Sequence, residues 1–349
     1  MTKTPLADRI FPAAPACGRV RPAFLLMCLA LFCFLPAAAF ARPKQVVFIR
    51  YRIPPNHFTS VVEEFCAGMT KRGYLDGQNI EYVDVLTRSA EQDSLPDVIS
   101  AIKKYKNSAA MFITCGWVSM EARRLLAGSD VPQLFVPVLD SVALEMLPSL
   151  TRPPDTNLSG LYLMYPPEKI LRLARLVIPA LRDYAYVYDS RIPADLIFKK
   201  ACEHLDEPGR HGLALHYLDL AAGVEKVLAE LRSRRIGAYG GIIGAFKSRQ
   251  ALRQSNIPVI TSFTLDIDQQ SIQQYTANDT TVAGLFNPFR YCGAQAAAMT
   301  ADIFDNKRTI EATVPRPAMQ VAFINLKNAT RLHLPVSFDA LEAVDLVIK

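Results

Sequence analysis

Residues 109–138 read AAMFITCGWVSMEARRLLAGSDVPQLFVPV, and this stretch decides the fold. Ala109–Thr114 and Gln133–Val138 are apolar on both faces, as strands covered above and below are. Val118–Leu126 between them reads as a helix. A strand–helix–strand unit of this kind places its strands in a parallel sheet with helices on both sides. Upstream, Gln45–Arg50 (QVVFIR) is a third continuous apolar strand. Asn56 is placed to cap the next helix, in which Phe58, Val61, Val62, Phe65 and Met69 recur at helical spacing. Gly73 suits the left-handed position just past the end of that helix. Ile80–Leu86 as a strand and Leu95–Lys106 as a helix complete the run.

The pattern then restarts. Pro167 opens a helix through Ala180, with Ile170, Leu173, Ala174 and Val177 on one face. Strands at Tyr184–Tyr188, Ala214–Leu218, Ala238–Ile243 and Pro258–Thr261 alternate with helices at Ala194–His204, Val224–Arg234 and Lys247–Ser255. Asn157–Tyr162 lies between the two runs and reads as a crossing strand. A helix at Phe289–Phe304 and a strand at Gln320–Ile324 return the chain across both halves. The expectation is an α/β protein of two doubly wound, parallel-sheet lobes joined by crossing strands.

The start of the chain speaks to compartment. Arg19 and Arg21 precede an unbroken apolar run, Ala23–Leu35, of thirteen residues. Pro36 breaks it, and Ala39-Phe40-Ala41 has the form of a cleavage site, so residues 1–41 read as a secretory signal. A spanning helix needs roughly 20 apolar residues. Cys28 follows Leu26-Met27 rather than a lipobox, so a soluble exported protein is expected, in the periplasm. The formal charge of +6 falls when Lys3, Arg9, Arg19, Arg21 and Asp8 leave with the signal. The remaining basic residues are scattered, which argues against a nucleic-acid partner. Cys66, Cys115, Cys202 and Cys292 remain in apolar contexts and read as buried free thiols; no Cys-x-x-Cys supports redox catalysis.

Catalytic motifs are missing. Gly240-Gly241-Ile242-Ile243-Gly244 has the wrong spacing for a nucleotide fingerprint, and Lys247-Ser248 completes no phosphate loop. His204, His211 and His216 read as solvated surface residues, and neither a metal nor another cofactor is expected. What remains is position, because ligands of parallel α/β sheets sit beyond the carboxyl ends of the strands. Those ends carry Tyr51, Thr114, Gly116, Trp117, Ser119, Asp140, Ser141, Asp189, Ser190 and Phe246, the candidate ligand-binding residues. Thr114 and Ser119 flank a helix start whose free N–H groups favour an anion. Trp117 and Tyr51 offer aromatic faces, and Asp140 and Asp189 could accept from an ammonium or hydroxyl. Arg52 and Arg191 read as solvated rim charges.

The last third carries a resemblance. Phe323-Ile324-Asn325-Leu326-Lys327-Asn328-Ala329, Leu332-His333-Leu334-Pro335 and Leu341-Glu342-Ala343-Val344-Asp345 are similar to the ending of a family of ABC-transporter substrate-binding proteins. Phe65-Cys66-Ala67-Gly68-Met69, Arg72–Ile80, Asn157-Leu158-Ser159-Gly160, Gly293 and Gln295 match further motifs of that family. The resemblance implies a periplasmic-binding-protein type I fold. Lobe 1 would hold residues 42–158 and about 285–313, lobe 2 residues 159–284 and about 314–349. It implies an interlobe cleft for an amino acid, an aromatic compound or a sugar, delivered by a monomer to an ABC permease without covalent chemistry. A sensory version would signal to a receptor kinase or cyclase ectodomain, and an exported enzyme on the same frame is the third class. At Ile243-Gly244-Ala245-Phe246 the chain lacks the family's Asp-Asn pair, which implies a more apolar second wall.

Overall fold

The computed structural model describes residues 42–52, 56–88, 95–264 and 266–349, so the expected signal at 1–41 lies outside the described residues. Pro43–Lys349 forms one unit with two sheets. The first sheet contains β1 Lys44–Arg50, β2 Ile80–Leu86, β3 Ala109–Cys115, β4 Gln133–Leu139 and β5 Leu158–Leu163. These lie in the order β2-β1-β3-β4-β5, and a short β11, Arg316–Pro317, is added beside β5. Every pairing in it is parallel. The buried runs Val46–Ile49, Met111–Ile113 and Leu134–Val136 are the apolar stretches seen in the sequence, each in contact with helices on both faces.

The second sheet contains β6 Asp183–Tyr188, β7 Ala214–Asp219, β8 Ala238–Gly240, β9 Val259–Phe263, β10 Thr281–Phe286, β12 Val321–Asn325 and β13 Leu346–Ile348. Its order is β7-β6-β8-β9-β10-β12-β13, and only β10 and β12 pair antiparallel. Each sheet has its own covering helices, and one buried apolar cluster runs from Val46 and Phe58 of the first sheet's side to Tyr186, Phe198 and Ile242 of the second's. Among the described residues no helix is long and apolar enough to cross a membrane.

Helix α1, Thr59–Thr70, and the long α10, Phe289–Phe304, cover one face of the first sheet and touch backbone to backbone. A Cβ on Gly293 would lie 2.3 Å from the carbonyl oxygen of Val61, and one on Gly68 would lie 2.7 Å from the Ala297 Cβ. Only glycine permits that approach. α10 thus belongs to the first lobe although β10, immediately before it, belongs to the second.

Among the described residues the chain crosses between lobes three times, at residues 164–166, 287–288 and 318–320. The fully buried Asn287 ties two crossings together, donating from Nδ2 to the carbonyls of Met319 (2.7 Å) and Ala318 (3.4 Å). Gln320 Nε2 donates to the Met164 carbonyl at 2.6 Å, which brings in the third. Leu158–Leu163 belongs wholly to the first sheet, so the expected crossing strand ends where the crossing begins, and the first lobe extends past 158.

Other differences have local causes. Ala238–Ile243 divides into a three-residue strand and a short α7, Ile243–Lys247, because a Cβ at Gly241 would meet the Val187 carbonyl at 2.1 Å and the chain turns there. Lys247–Ser255 is likewise shortened to α8, Arg249–Leu252, and a single 3-10 turn. Asn56 does not cap α1. The N-cap is Phe58, in the left-handed conformation (φ 59°), while Asn56 reaches the second lobe.

Asn287→Ala should leave three tied crossings with one buried donor missing. We expect a loss of about 1–3 kcal/mol in chemical denaturation. An unchanged midpoint would show that the crossings do not depend on this carboxamide.

Candidate functional site

The carboxyl ends of both sheets face a common cleft, and the loops there differ in character. On the first lobe, Arg50 (8% exposed) forks onto Asp84, Nε to Oδ1 at 2.7 Å and Nη2 to Oδ2 at 2.5 Å. Its remaining Nη1 donates to the carbonyl of His57 and to Thr59 Oγ1. That fork holds His57 and Phe58 in successive left-handed conformations, φ 53° and 59°. Such backbone costs about 1–3 kcal/mol per residue and persists where the surroundings over-determine it. Phe58 stacks on Phe289 (centroids 5.3 Å apart) and meets Tyr51 (5.3 Å), which in turn lies 6.4 Å from Trp117. Gly116, at φ 71°, sits under the Tyr51 ring, where a Cβ would come within 2.2 Å of Cε1. Tyr51, Gly116 and Trp117 are therefore brought together. The indole Nε1 of Trp117 is shielded and lacks a partner.

Thr114 and Ser119 have a different job from the anion contact expected of them. Both are fully buried. Ser119 Oγ donates to the Thr114 carbonyl (3.0 Å), and Gln133 Nε2 donates to Thr114 Oγ1 and the Ser119 carbonyl (both 3.0 Å). Both hydroxyls are spent internally, and Gln133 of β4 knots β3 to the helix start. Asp140, at φ 22°, uses Oδ1 to accept from the N–H groups of Val142 and Ala143 (both 3.1 Å), so it caps its own turn. Ser141 beside it is fully buried with its Oγ unpartnered.

The second lobe's loops are largely satisfied from within. Asp189 accepts from Arg191 Nε (2.8 Å) and Nη2 (2.7 Å), and that guanidinium holds its carboxyl below the usual range. Arg191 is thus paired, not a bare rim charge. Ser190 is exposed, and its N–H donates to Asp219. The fully buried Asp195 accepts from the N–H groups of Asp189 (2.9 Å), Ile243 (3.0 Å) and Gly244 (2.9 Å). It staples the loop after β6 to the loop after β8, which leaves Ile243-Gly244 presenting backbone rather than polar side chains. Phe246 turns away into its own lobe, against Phe263 (6.0 Å) and Tyr275 (5.8 Å), with the Arg249 guanidinium 4.1 Å above its ring.

Residues outside the expected set close the space between the lobes. A cavity of about 460 Å³ is lined from the first lobe by Asn56, His57, Ser60 and Glu63, and from the second by Asp266 and Asp268, with Arg290 at its mouth. Asp266, just past β9, is 2% exposed. Its carbonyl accepts from Asn56 Nδ2 (2.9 Å) and its Oδ1 from Ser60 Oγ, bonds that join the lobes. Oδ2 has no partner, and burial pushes the carboxyl up from its ordinary value. Asp268 caps α9, Gln269–Thr276, through Ser271 N and Oγ (both 2.8 Å). The signal for Asp266 was its place three residues past an apolar strand.

The histidines expected at the surface go separate ways, His216 to Asp183 (2.8 Å) and His204 to the Lys200 carbonyl (2.6 Å). Cys66, Cys115, Cys202 and Cys292 are free thiols, three of them buried.

No protein-family model and no curated protein matches the chain. Solved structures do. A ligand-free, open substrate-binding protein with adhesive properties from Clostridium difficile aligns with TM-score 0.69 and 16% identity, over 88% of this chain and 99% of that one. A conserved domain protein from Vibrio cholerae gives 0.68 and 16%, over 88% and 100%. A domain from Streptococcus pneumoniae in complex with L-Trp gives 0.66 and 14%, over 88% and 100%. The chain has the type I periplasmic-binding-protein fold.

Asp195→Ala would leave three buried N–H groups unpaired at once. The expected loss is about 3 kcal/mol or more in denaturant titration, with Asp195→Asn milder because it keeps one acceptor. Equal effects of the two would refute the staple.

Proposed function

We propose that the protein is a periplasmic solute receptor. It closes its two lobes on a small molecule, releases it unaltered and presents it to an ABC permease. The observation that carries this is the cavity of about 460 Å³ lined by strand-end loops of both lobes, with three tied crossings to serve as a hinge. Ligands of parallel α/β sheets sit at such ends, and hinge closure around a ligand is a known repertoire for two-lobed receptors. A neighbour of this fold was solved with L-Trp bound, and another is described as a substrate-binding protein. The solute is an amino acid, an aromatic compound or a sugar, held by residues on both walls. Asn56, His57 and Ser60 supply the first wall, backed through Phe58 by the cluster of Tyr51, Gly116 and Trp117, and Asp266 and Asp268 supply the second. The leader read at 1–41 directs the chain out of the cytoplasm.

Trp117 is the single tryptophan of the chain, so its emission reports on this wall alone. A thermal-shift screen over amino acids, sugars, nucleosides and small acids should find a stabilising solute. At 100 times its Kd such a solute adds about 2.7 kcal/mol. That solute should also change Trp117 emission and be recovered intact by mass spectrometry. Chemical conversion of the bound solute would make the protein an enzyme instead, and an indifferent spectrum would remove Trp117 from the site.

A further inference from the structure

Asp266 stands out among the buried polar groups. The residue is only 2% exposed, yet of its carboxylate oxygens only Oδ1 is engaged, by Ser60. Asp266 lines the interlobe cavity, and its buried Oδ2 has no partner. A carboxylate left half-satisfied away from water is expensive unless something completes it. Its charged neighbours do not complete it. Glu63 and Asp268 are carboxylates themselves and add repulsion. Arg50 feels the charge of Asp266, but its guanidinium is already forked onto Asp84. Of the basic side chains in the lining, His57 has no hydrogen bond to Asp266, and Arg290 is half-exposed and pairs with Glu64 (2.6 Å).

We propose that Asp266 Oδ2 is the seat of a cationic nitrogen on the ligand, so that this receptor selects solutes carrying an amine. This rests on the receptor reading above and narrows its ligand class. Three carboxylates around one cavity repel a bare anion and gain little from a neutral polyol, whereas an ammonium is attracted by all three and donates directly to the unpartnered oxygen. The site also answers the missing polar pair at Ile243-Gly244-Ala245-Phe246. The acceptor comes from the end of the next strand, β9, rather than from the loop after β8. Because Asp266 also bonds Ser60 and Asn56 of the first lobe, a cation there would be bound where the lobes meet and would favour the closed arrangement.

The test uses the full mature chain and matched sets of probes. For phenylalanine, leucine and tryptophan, each set holds the amino acid, the amine left on removing its carboxylate, and the acid left on removing its amine. D-glucose and D-ribose serve as neutral probes. Thermal shift at millimolar concentration should show stabilisation by at least one amine-bearing probe and none by the deaminated acids. Asp266→Asn keeps an acceptor for Ser60, so the unliganded variant should melt no lower than the parent while its Kd for that probe rises about 30-fold or more. Glu225→Gln, which removes an exposed carboxylate outside the cavity lining, should change Kd by less than about 3-fold. Stabilisation by sugars or deaminated acids alone, with altered Trp117 emission, would leave the receptor standing and overturn the amine assignment. An amine that binds Asp266→Asn as well as the parent would overturn it too. Silence from every probe class would count against both.

Discussion

The three lobe crossings are bound to one another, and the rest of the architecture depends on that bond. Asn287 sits fully buried among them and fastens residues 318 and 319, while Gln320 reaches back to Met164. Each crossing is only two or three residues long, so the lobes have little room to slide. Rotation about the tied segments is the motion this geometry leaves, and it moves the strand-end loops toward or away from one another.

The two walls that such a rotation brings together are built on different principles. The first lobe's wall is shaped by packing and strain. Arg50 holds two successive left-handed residues, Gly116 makes room for Tyr51, and four aromatic rings interlock. The second lobe's wall is shaped by internal hydrogen bonding. Arg191 answers Asp189, and Asp195 takes up three amides. Asp266 of the second wall bonds Ser60 of the first through Oδ1 and keeps Oδ2 without a partner. An asymmetric cleft of this kind grips with shape on one side and with charge on the other.

Much of the fold was legible because parallel strands buried on both faces write themselves as apolar runs. Val118–Leu126 and Ile80–Leu86 have the bounds their sequences suggested. The helix Gln269–Thr276 was not legible, since it buries only Ile272 and Thr276 and shows no apolar stripe. The short β8 and β13 lack the length that reveals a strand. The site was legible as a rule of position but not of direction. Nothing local says whether Thr114 points into the cleft or, as found, toward Gln133. The contact of Ser60 with Asp266 spans 206 residues and exists only once two lobes have docked.

The thiols carry a practical consequence. Burial pushes Cys66 and Cys202 up to about 12 and raises Cys115 and Cys292 as well, so the described body holds almost no thiolate at neutral pH. Maleimide dyes and spin labels react with thiolate. One engineered cysteine on each lobe's exposed rim would therefore outpace the four native ones, and the opening of the cleft could be followed by distance measurement in an otherwise unmodified chain.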